Sequence, residues 1–400
     1  MKVLIIHQHF RLPSQGGAIR SYYLARALVE HSIHVEVITA HGGKNQEHQH
    51  VDGISIHYLP VEYENRFGFS RRSRSFIRFA WRAAALAGRL PGIDLCYAIS
   101  VPLTTGLSAM WLKSINKLSY LFEVGDLWPD APIDLGFIRN PVFKAALRKL
   151  ETTIYNKSVG VVALSEPIRQ SVQKKSPRTP VHLIPNMADT DYYHPTDTSD
   201  TYKTKFGVMG KFVVSYIGAV GFANGLDHYI ECARAAAQAS LDIHFFICGE
   251  GALLQQHKQN VKRLGLQNIT FLAFTDRAGV QELMNATDAI FVSYKPFRIL
   301  ETGSPNKYFD GLAAGKLIAV NFNGWIRTEI ERERCGVFID RQPGTFVKAM
   351  TPFLKDRSLL RQYQAAARDL AIRQYSRIQL GAQFSDIIKT TVGQLPRVIR

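Results

Sequence analysis

Cysteine is scarce in this 400-residue chain. Cys96, Cys232, Cys248 and Cys335 are the only four, and they lie far apart. No C-x-x-C spacing occurs, which argues against a zinc ribbon, a thioredoxin-type redox site and a disulfide scaffold, and favours a reducing compartment. Long hydrophobic runs are also missing. No window approaches 18 clean apolar residues, so no membrane-spanning helix is expected. The start, MKVLIIHQHF, is too short for a signal peptide and reads as a first strand. Acid is in deficit: 33 Asp and Glu face 49 Lys and Arg, a net charge of +16. Such a balance calls for an anionic partner, whether nucleic acid, a membrane surface or a phosphorylated substrate.

What is present is ample core material, with 46% hydrophobic and 20% charged residues. Disorder is excluded, and the length points to two domains. Short apolar runs alternate with amphipathic stretches. Strands are expected at residues 2–7, 34–40, 54–59, 93–98, 118–124, 159–164 and 181–184, and helices at 18–31, 103–117 and 140–156. The rhythm pauses over the Pro- and Asp-rich stretch 185–195. It resumes with strands at 212–217, 243–248, 269–272, 289–293, 317–321 and 337–339, interleaved with helices, and ends in a helical tail. This βα alternation predicts an α/β chain of two doubly wound, mostly parallel domains with a cleft between them. The expected boundaries are 1–190 for the first domain, 191–375 for the second, and 376–400 for a C-terminal helix returning to the first. In such sheets ligands bind beyond the carboxyl ends of the strands.

Three glycine turns follow strands. Gln15-Gly16-Gly17 precedes the first helix, and either an anion or a turn needing positive φ accounts for it. Gly218 and Gly221, with Asn224 and Gly225, follow the strand FVVSYI, and Gly249-Glu250-Gly251 follows HFFIC. The G-x-G-x-x-G fingerprint is absent, which disfavours a dinucleotide oxidoreductase. The richest stretch is Glu301 to Lys316. Ser304 is expected to cap a helix with Pro305 at its first position and Gly315 at its end. Lys307 stands in the first turn, where the helix dipole prefers an acid, as suits a shared anionic ligand. Asn306, Lys307 and Asp310 share a face, a phosphate reader beside a carboxylate for sugar hydroxyls.

This segment resembles the nucleotide-sugar motif of the retaining glycosyltransferases of family 4. The resemblance implies the GT-B fold, two facing Rossmann-like domains with an interdomain cleft. It makes Asp310 the acid that binds the nucleotide ribose. The acid expected eight residues earlier falls on Thr302, with Glu301 one place off register as the donor-sugar contact. Asn224 stands where the family has Lys after the first strand of domain two, and no Arg precedes it. Diphosphate neutralisation then shifts to Lys307, with Lys295 or Arg298 as helpers. Glu123 to Asp130 (EVGDLWPD) resembles a D-L-W-P motif that places Asp126 in the cleft, and PNMAD at 185–189 resembles the family's hinge. The bacterial N-acetylated aminosugar transferases of surface-polysaccharide synthesis show a similar departure in the motif at 301–316.

Arg66 to Arg89 holds seven arginines and no acid. On a helix, Arg71, Arg74, Arg78, Arg82 and Arg89 form one stripe opposite Phe76, Ala80, Ala83 and Ala87, with Phe79 and Trp81 at the boundary. A basic amphipathic helix with aromatics suits an anionic membrane surface, and its apolar side equally suits a sheet. His7, His9, His48 and His50 offer no third metal ligand, the last two being expected in a polar loop.

The reading is a retaining hexosyltransferase taking a UDP-sugar, of N-acetylated hexosamine type, to a lipid-linked or glycan acceptor, with no cofactor, metal or nucleic acid. It is expected to be cytoplasmic and peripheral on the inner membrane face. A sugar-nucleotide epimerase of the same fold and a non-enzymatic basic binding protein are the rivals.

Overall fold

The computed structural model describes residues 1–17, 19–64, 67–196 and 199–395. Ala18, Arg66 and residues 396–400, assigned above to the first helix, the arginine helix and the tail, lie outside the described residues. The first half of the chain runs β1 (Lys2–Ile6), α1 (Arg20–Glu30), β2 (His34–His41), β3 (Glu47–Val51), β4 (Ile54–Pro60), α2 (Phe69–Ala87) and β5 (Leu95–Ile99). It continues with α3 (Thr105–Asn116), β6 (Tyr120–Val124), α4 (Asp130–Asp134), α5 (Pro141–Lys157), β7 (Gly160–Ala163), α6 (Glu166–Lys175) and β8 (Val181–Leu183). The second half runs α7 (Ser199–Lys205), β9 (Phe212–Ile217), α8 (Leu226–Gln238), β10 (Ile243–Cys248), α9 (Leu254–Arg263), β11 (Ile269–Leu272), α10 (Arg277–Ala286) and β12 (Ala289–Val292). Then come α11 (Asn306–Ala313), β13 (Leu317–Val320), α12 (Trp325–Arg332), β14 (Gly336–Phe338), α13 (Thr345–Lys355), α14 (Arg357–Gln374) and α15 (Arg377–Gln394).

Two sheets result, of order β3-β4-β2-β1-β5-β6-β7-β8 and β11-β10-β9-β12-β13-β14. Every pairing is parallel except β3 with β4. Runs such as LCYAI and YLFEV are buried along their whole length, as parallel strands covered on both faces must be. The β3 strand corrects the expected polar loop at His48 and His50. Its sequence, EHQHV, has no apolar alternation and only Val51 is even half-buried, so the pairing to β4 alone makes it a strand.

The chain leaves the first sheet after β8 and comes back to it after α14. The backbone N–H of Ala188 donates to Tyr375 O (2.8 Å) and that of Arg377 to Ala188 O (3.1 Å), so the outgoing and returning segments run side by side. Helix α15 then packs on α1, with Phe384 4.8 Å from the ring of Tyr97 and Gly381 against Ala27.

Candidate active site

The loops after β1, β9, β10 and β11 and the start of α11 enclose a cleft of about 600 Å³ between the two sheets. Its position beyond the carboxyl ends of parallel strands follows the rule for doubly wound folds. Gly17, Gly249, Glu250, Pro305, Asn306, Lys307 and Asp310, among the residues singled out in the sequence, line it together.

Helix α11 supplies the charge. Its N-cap is Pro305, and no side chain caps it. This corrects the expectation that Ser304 caps and Pro305 is the first helical residue. Ser304 faces the hinge instead: its carbonyl accepts from the Asn186 amide side chain and its Oγ lies 3.4 Å from Asn186 N. The first backbone N–H groups of α11 are therefore left for a ligand, with the positive end of the helix dipole behind them. The Lys307 ammonium sits 4.7 Å from the Tyr216 ring centroid, and its stem crosses Gly218 so closely that a Cβ there would lie 3.2 Å from Lys307 Cε. Burial lowers Lys307 to about 8, against the pull of Asp310. Burial likewise raises Asp310 to about 7, although Arg277 and Lys307 pull it back. Both groups are thus poised near neutrality and gain from an anionic, hydroxyl-bearing ligand.

The glycine loops after β9 and β10 adjoin this face of α11. Gly218 N donates to Cys248 O (2.9 Å), and Val220 N donates to Glu250 O (2.7 Å). A Cβ on Gly249, whose φ is +153°, would lie 1.9 Å from Gly218 O, so only glycine lets the two loops touch.

Other expected residues are occupied elsewhere. Asn224 Oδ1 accepts from Gly221 N (3.2 Å) and closes its own turn, so neither offers that group to a ligand. The Lys295 ammonium lies 3.6 Å above the Phe222 ring. Glu301 sits in the short helical turn 298–302, where its backbone and Cβ crowd Gly324, and burial raises its pKa. Lys295, Glu301 and Asp126 are not among the cleft-lining residues. Asp126 nonetheless faces domain two. Its carboxyl reaches solvent but is hemmed in by protein, which raises its pKa, and its charge helps raise that of Tyr294, a cleft residue. His7 and His9 are held neutral by burial, at about 3 and about 4, and His7 Nδ1 lies 2.8 Å from Ser21 Oγ.

The sequence reading missed a buried node at the hinge. Asp189 accepts from Tyr23 Oη (2.6 Å) and from the Arg277 guanidinium, and Arg377 lies 3.6 Å away. Arg277 also donates to Tyr23 Oη (2.7 Å) and stacks 3.6 Å over Tyr192. A second tie joins Arg20 to Glu123 (2.9 Å) and to the carbonyls of Ile184 and Pro185. Arg20 and Tyr23, one turn apart just after Gly17, were the available signal. Arg277 had none beyond its place after the cap Asp276.

Helix α2 buries Phe79, Ala80, Ala83 and Ala87 against the sheet. Arg71 pairs with Glu62 (3.0 Å), and Arg82 donates to Pro60 O (3.0 Å). Arg74, Arg78, Trp81 and Ile77 are left as its outward face.

Two family descriptions match this architecture almost end to end: glycosyl transferase 4-like domain over residues 15–187, and glycosyl transferases group 1 over residues 199–370. The chain is a GT-B glycosyltransferase. The cleft described above is the interdomain cleft of that fold. The glycosyltransferase is also 22% identical over 172 residues to alpha-D-kanosaminyltransferase of Streptomyces kanamyceticus, a match spanning 42% of either protein. Among solved structures it resembles sucrose-phosphate synthase of Thermosynechococcus elongatus, with a TM-score of 0.77 and 14% identity over 98% of this chain and 100% of the other. HepE of Anabaena, solved with UDP-glucose, gives a TM-score of 0.71 and 16% identity over 98% of this chain and 100% of the other. No described helix of the transferase is long and apolar enough to cross a membrane.

Proposed function

We propose that this transferase moves a sugar, of N-acetylated hexosamine type, with retention from a UDP-sugar to a lipid-linked or glycan acceptor in surface-polysaccharide synthesis. The observation that carries the reading is the face of α11 bearing Lys307 and Asp310, set beside the touching glycine loops. Leaving-group departure puts charge on the diphosphate. Lys307 and the uncapped N–H groups of α11 oppose that charge from positions fixed before the reaction, where such donors need no reorganisation. Asp310 binds the ribose. Asp126 approaches from domain one toward the sugars, and Glu301 acts at the donor-sugar end. The donor phosphate takes the acceptor proton. A uracil nucleotide is favoured by the resemblance to family 4 and by HepE, a structural neighbour solved with UDP-glucose.

A membrane acceptor is supported by the outward face of α2. Trp81 and Ile77 are 72% and 61% exposed beside Arg74 and Arg78, a pairing of apolar wedge and cation that suits anionic headgroups. The test is thermal stabilisation by UDP, GDP, dTDP and CDP, followed by transfer from UDP-N-acetylhexosamines to a lipid-diphosphate acceptor. Selective stabilisation by UDP, lost in Asp310→Asn, and a product of retained anomeric configuration are expected. A flat response to all four nucleotides overturns the donor assignment.

A further inference from the structure

Six of the thirteen histidines fall between residues 31 and 57, far in sequence from the elements that build most of the cleft. The β2, β3 and β4 pairings gather part of this set on one sheet face. His48 of β3 stands directly opposite His57 of β4, and Glu36 of β2 stands opposite Ser55, two residues from His57. The two imidazoles lie parallel with centroids 4.5 Å apart. His57 Nε2 is 2.8 Å from Glu36 Oε2, and His48 Nε2 is 2.9 Å from Ser55 Oγ. Glu36 Oε1 is held by Lys2 Nζ at 3.5 Å. The donor atoms of Glu36, His48 and His57 all lie within 4.8 Å of one another, and none of the three lines the cleft.

We propose that Glu36, His48 and His57 form a binding site for a divalent transition metal of the zinc class, separate from the donor site. Two imidazoles and one carboxylate are a donor set that zinc accepts, with water completing the shell. Bonds of ~2.0–2.2 Å place tetrahedral ligands roughly 3.4 Å apart, so the His57–Glu36 pair, now at 2.8 Å, opens slightly while wider donor pairs, up to 4.8 Å apart, close, and the stacked rings turn to aim their lone pairs at one point. They are free to do so: His48 is exposed, and Glu36 and His57 are half-buried at the sheet edge. Binding exchanges the His57–Glu36 and His48–Ser55 contacts for metal bonds. Lys2 stays on the other carboxylate oxygen and orients it, as outer partners of metal ligands do.

The fold gives the metal a task. Strand β3 fully buries no apolar side chain, Val51 alone packing partly on the core, and its backbone pairs only with β4, so its own packing contributes little. A metal linking β3, β4 and β2 pins this edge. The sequence suggested no third ligand for His48 because Glu36 and His57 are 12 residues before it and 9 after it, and only strand pairing unites them.

The test is titration of tag-free, chelator-stripped protein with zinc chloride at about pH 7.5, read by calorimetry, with amide hydrogen exchange of residues 47–51 as a second readout. One saturable equivalent is expected, with slowed exchange in β3. The Kd should rise more than ~10-fold in His48→Ala, His57→Ala and Glu36→Gln, because even outer-shell losses cost that much. It should be unchanged in His194→Ala, an exposed histidine of the hinge region. His48 is exposed, so His48→Ala should melt with wild type in chelator, which separates lost binding from lost folding. Absence of a saturable equivalent, or unchanged affinity in both histidine variants, overturns the site and leaves a stacked histidine pair hydrogen-bonded to Glu36.

Discussion

Replacing Asp310 with Asn should make the empty enzyme more stable and nucleotide binding worse. The carboxyl has no side-chain hydrogen bond among the described residues, and burial raises its pKa from 3.8 to about 7. Each pKa unit is worth ~1.4 kcal/mol, so about three units set a ceiling of roughly 4 kcal/mol on ionising it in the empty cleft. The side chain is partly exposed and the cleft admits water, so a gain of ~1–2 kcal/mol is the expected size. The sign follows from proton counting. The unfolded carboxyl loses its proton near pH 4 and the folded one near pH 7, so between them the native state binds more protons and its stability falls as pH rises. Asn carries no such proton. The advantage of Asp310→Asn should therefore be small at about pH 4, grow through this window, and level off above about pH 7. Urea denaturation at about pH 5 and about pH 8 reads it directly. In parallel, UDP affinity should drop ~10–100-fold, the worth of one or two charged hydrogen bonds. A variant no more stable relative to wild type at the higher pH than at the lower refutes the reasoning.

Three further outcomes are expected. Lys307 loses its proton at about 8 in the empty cleft, so UDP affinity should be full below that pH and decline above it; Lys307→Arg, charged throughout, should flatten that decline in a pH series of binding isotherms. Asp189→Asn leaves the Arg277 and Arg377 cations short of their shared carboxylate and should destabilise by ~2–4 kcal/mol in chemical denaturation, an effect shrinking in acid because Tyr23 and Arg277 hold the Asp189 carboxyl below its usual range despite burial. Trp81→Glu should cut sedimentation with anionic vesicles several-fold without changing UDP binding, and equal sedimentation by both proteins would remove α2 from the membrane face.

The architecture was legible because its signals are local. Runs such as KVLII and FVVSYI announce buried strands, and glycine turns follow them at matching places. The helix at Asn306 was legible in position but not in detail. Pro305 opens the helix as N-cap rather than as the first helical residue expected, and Ser304 answers to Asn186, a partner 118 residues away. Asn224, standing where the family has a ligand-facing Lys, closes the Gly221 turn, a competition between local and foreign donors that composition does not rank. Strand β3 was invisible because EHQHV carries no alternation, its conformation being imposed by β4. Arg277 was invisible, and Arg20 offered only its spacing to Tyr23, because a single arginine near a helix start looks solvated until the fold brings Glu123 or Asp189 to it.

The side-by-side crossings at Ala188 and Tyr375–Arg377 have a mechanical consequence. A single connecting strand lets two bodies twist, slide and swing. Two adjacent segments, hydrogen-bonded to each other, resist twist and slide and leave a swing about the line they share as the softest motion expected. Asp189 sits on that line and is gripped from α1, α10 and α15 at once. The glycosyltransferase is thus a pair of jaws on one pin. Any opening of the cleft is then expected to follow that one arc and to bring α11 back to the domain-one loops in the same register.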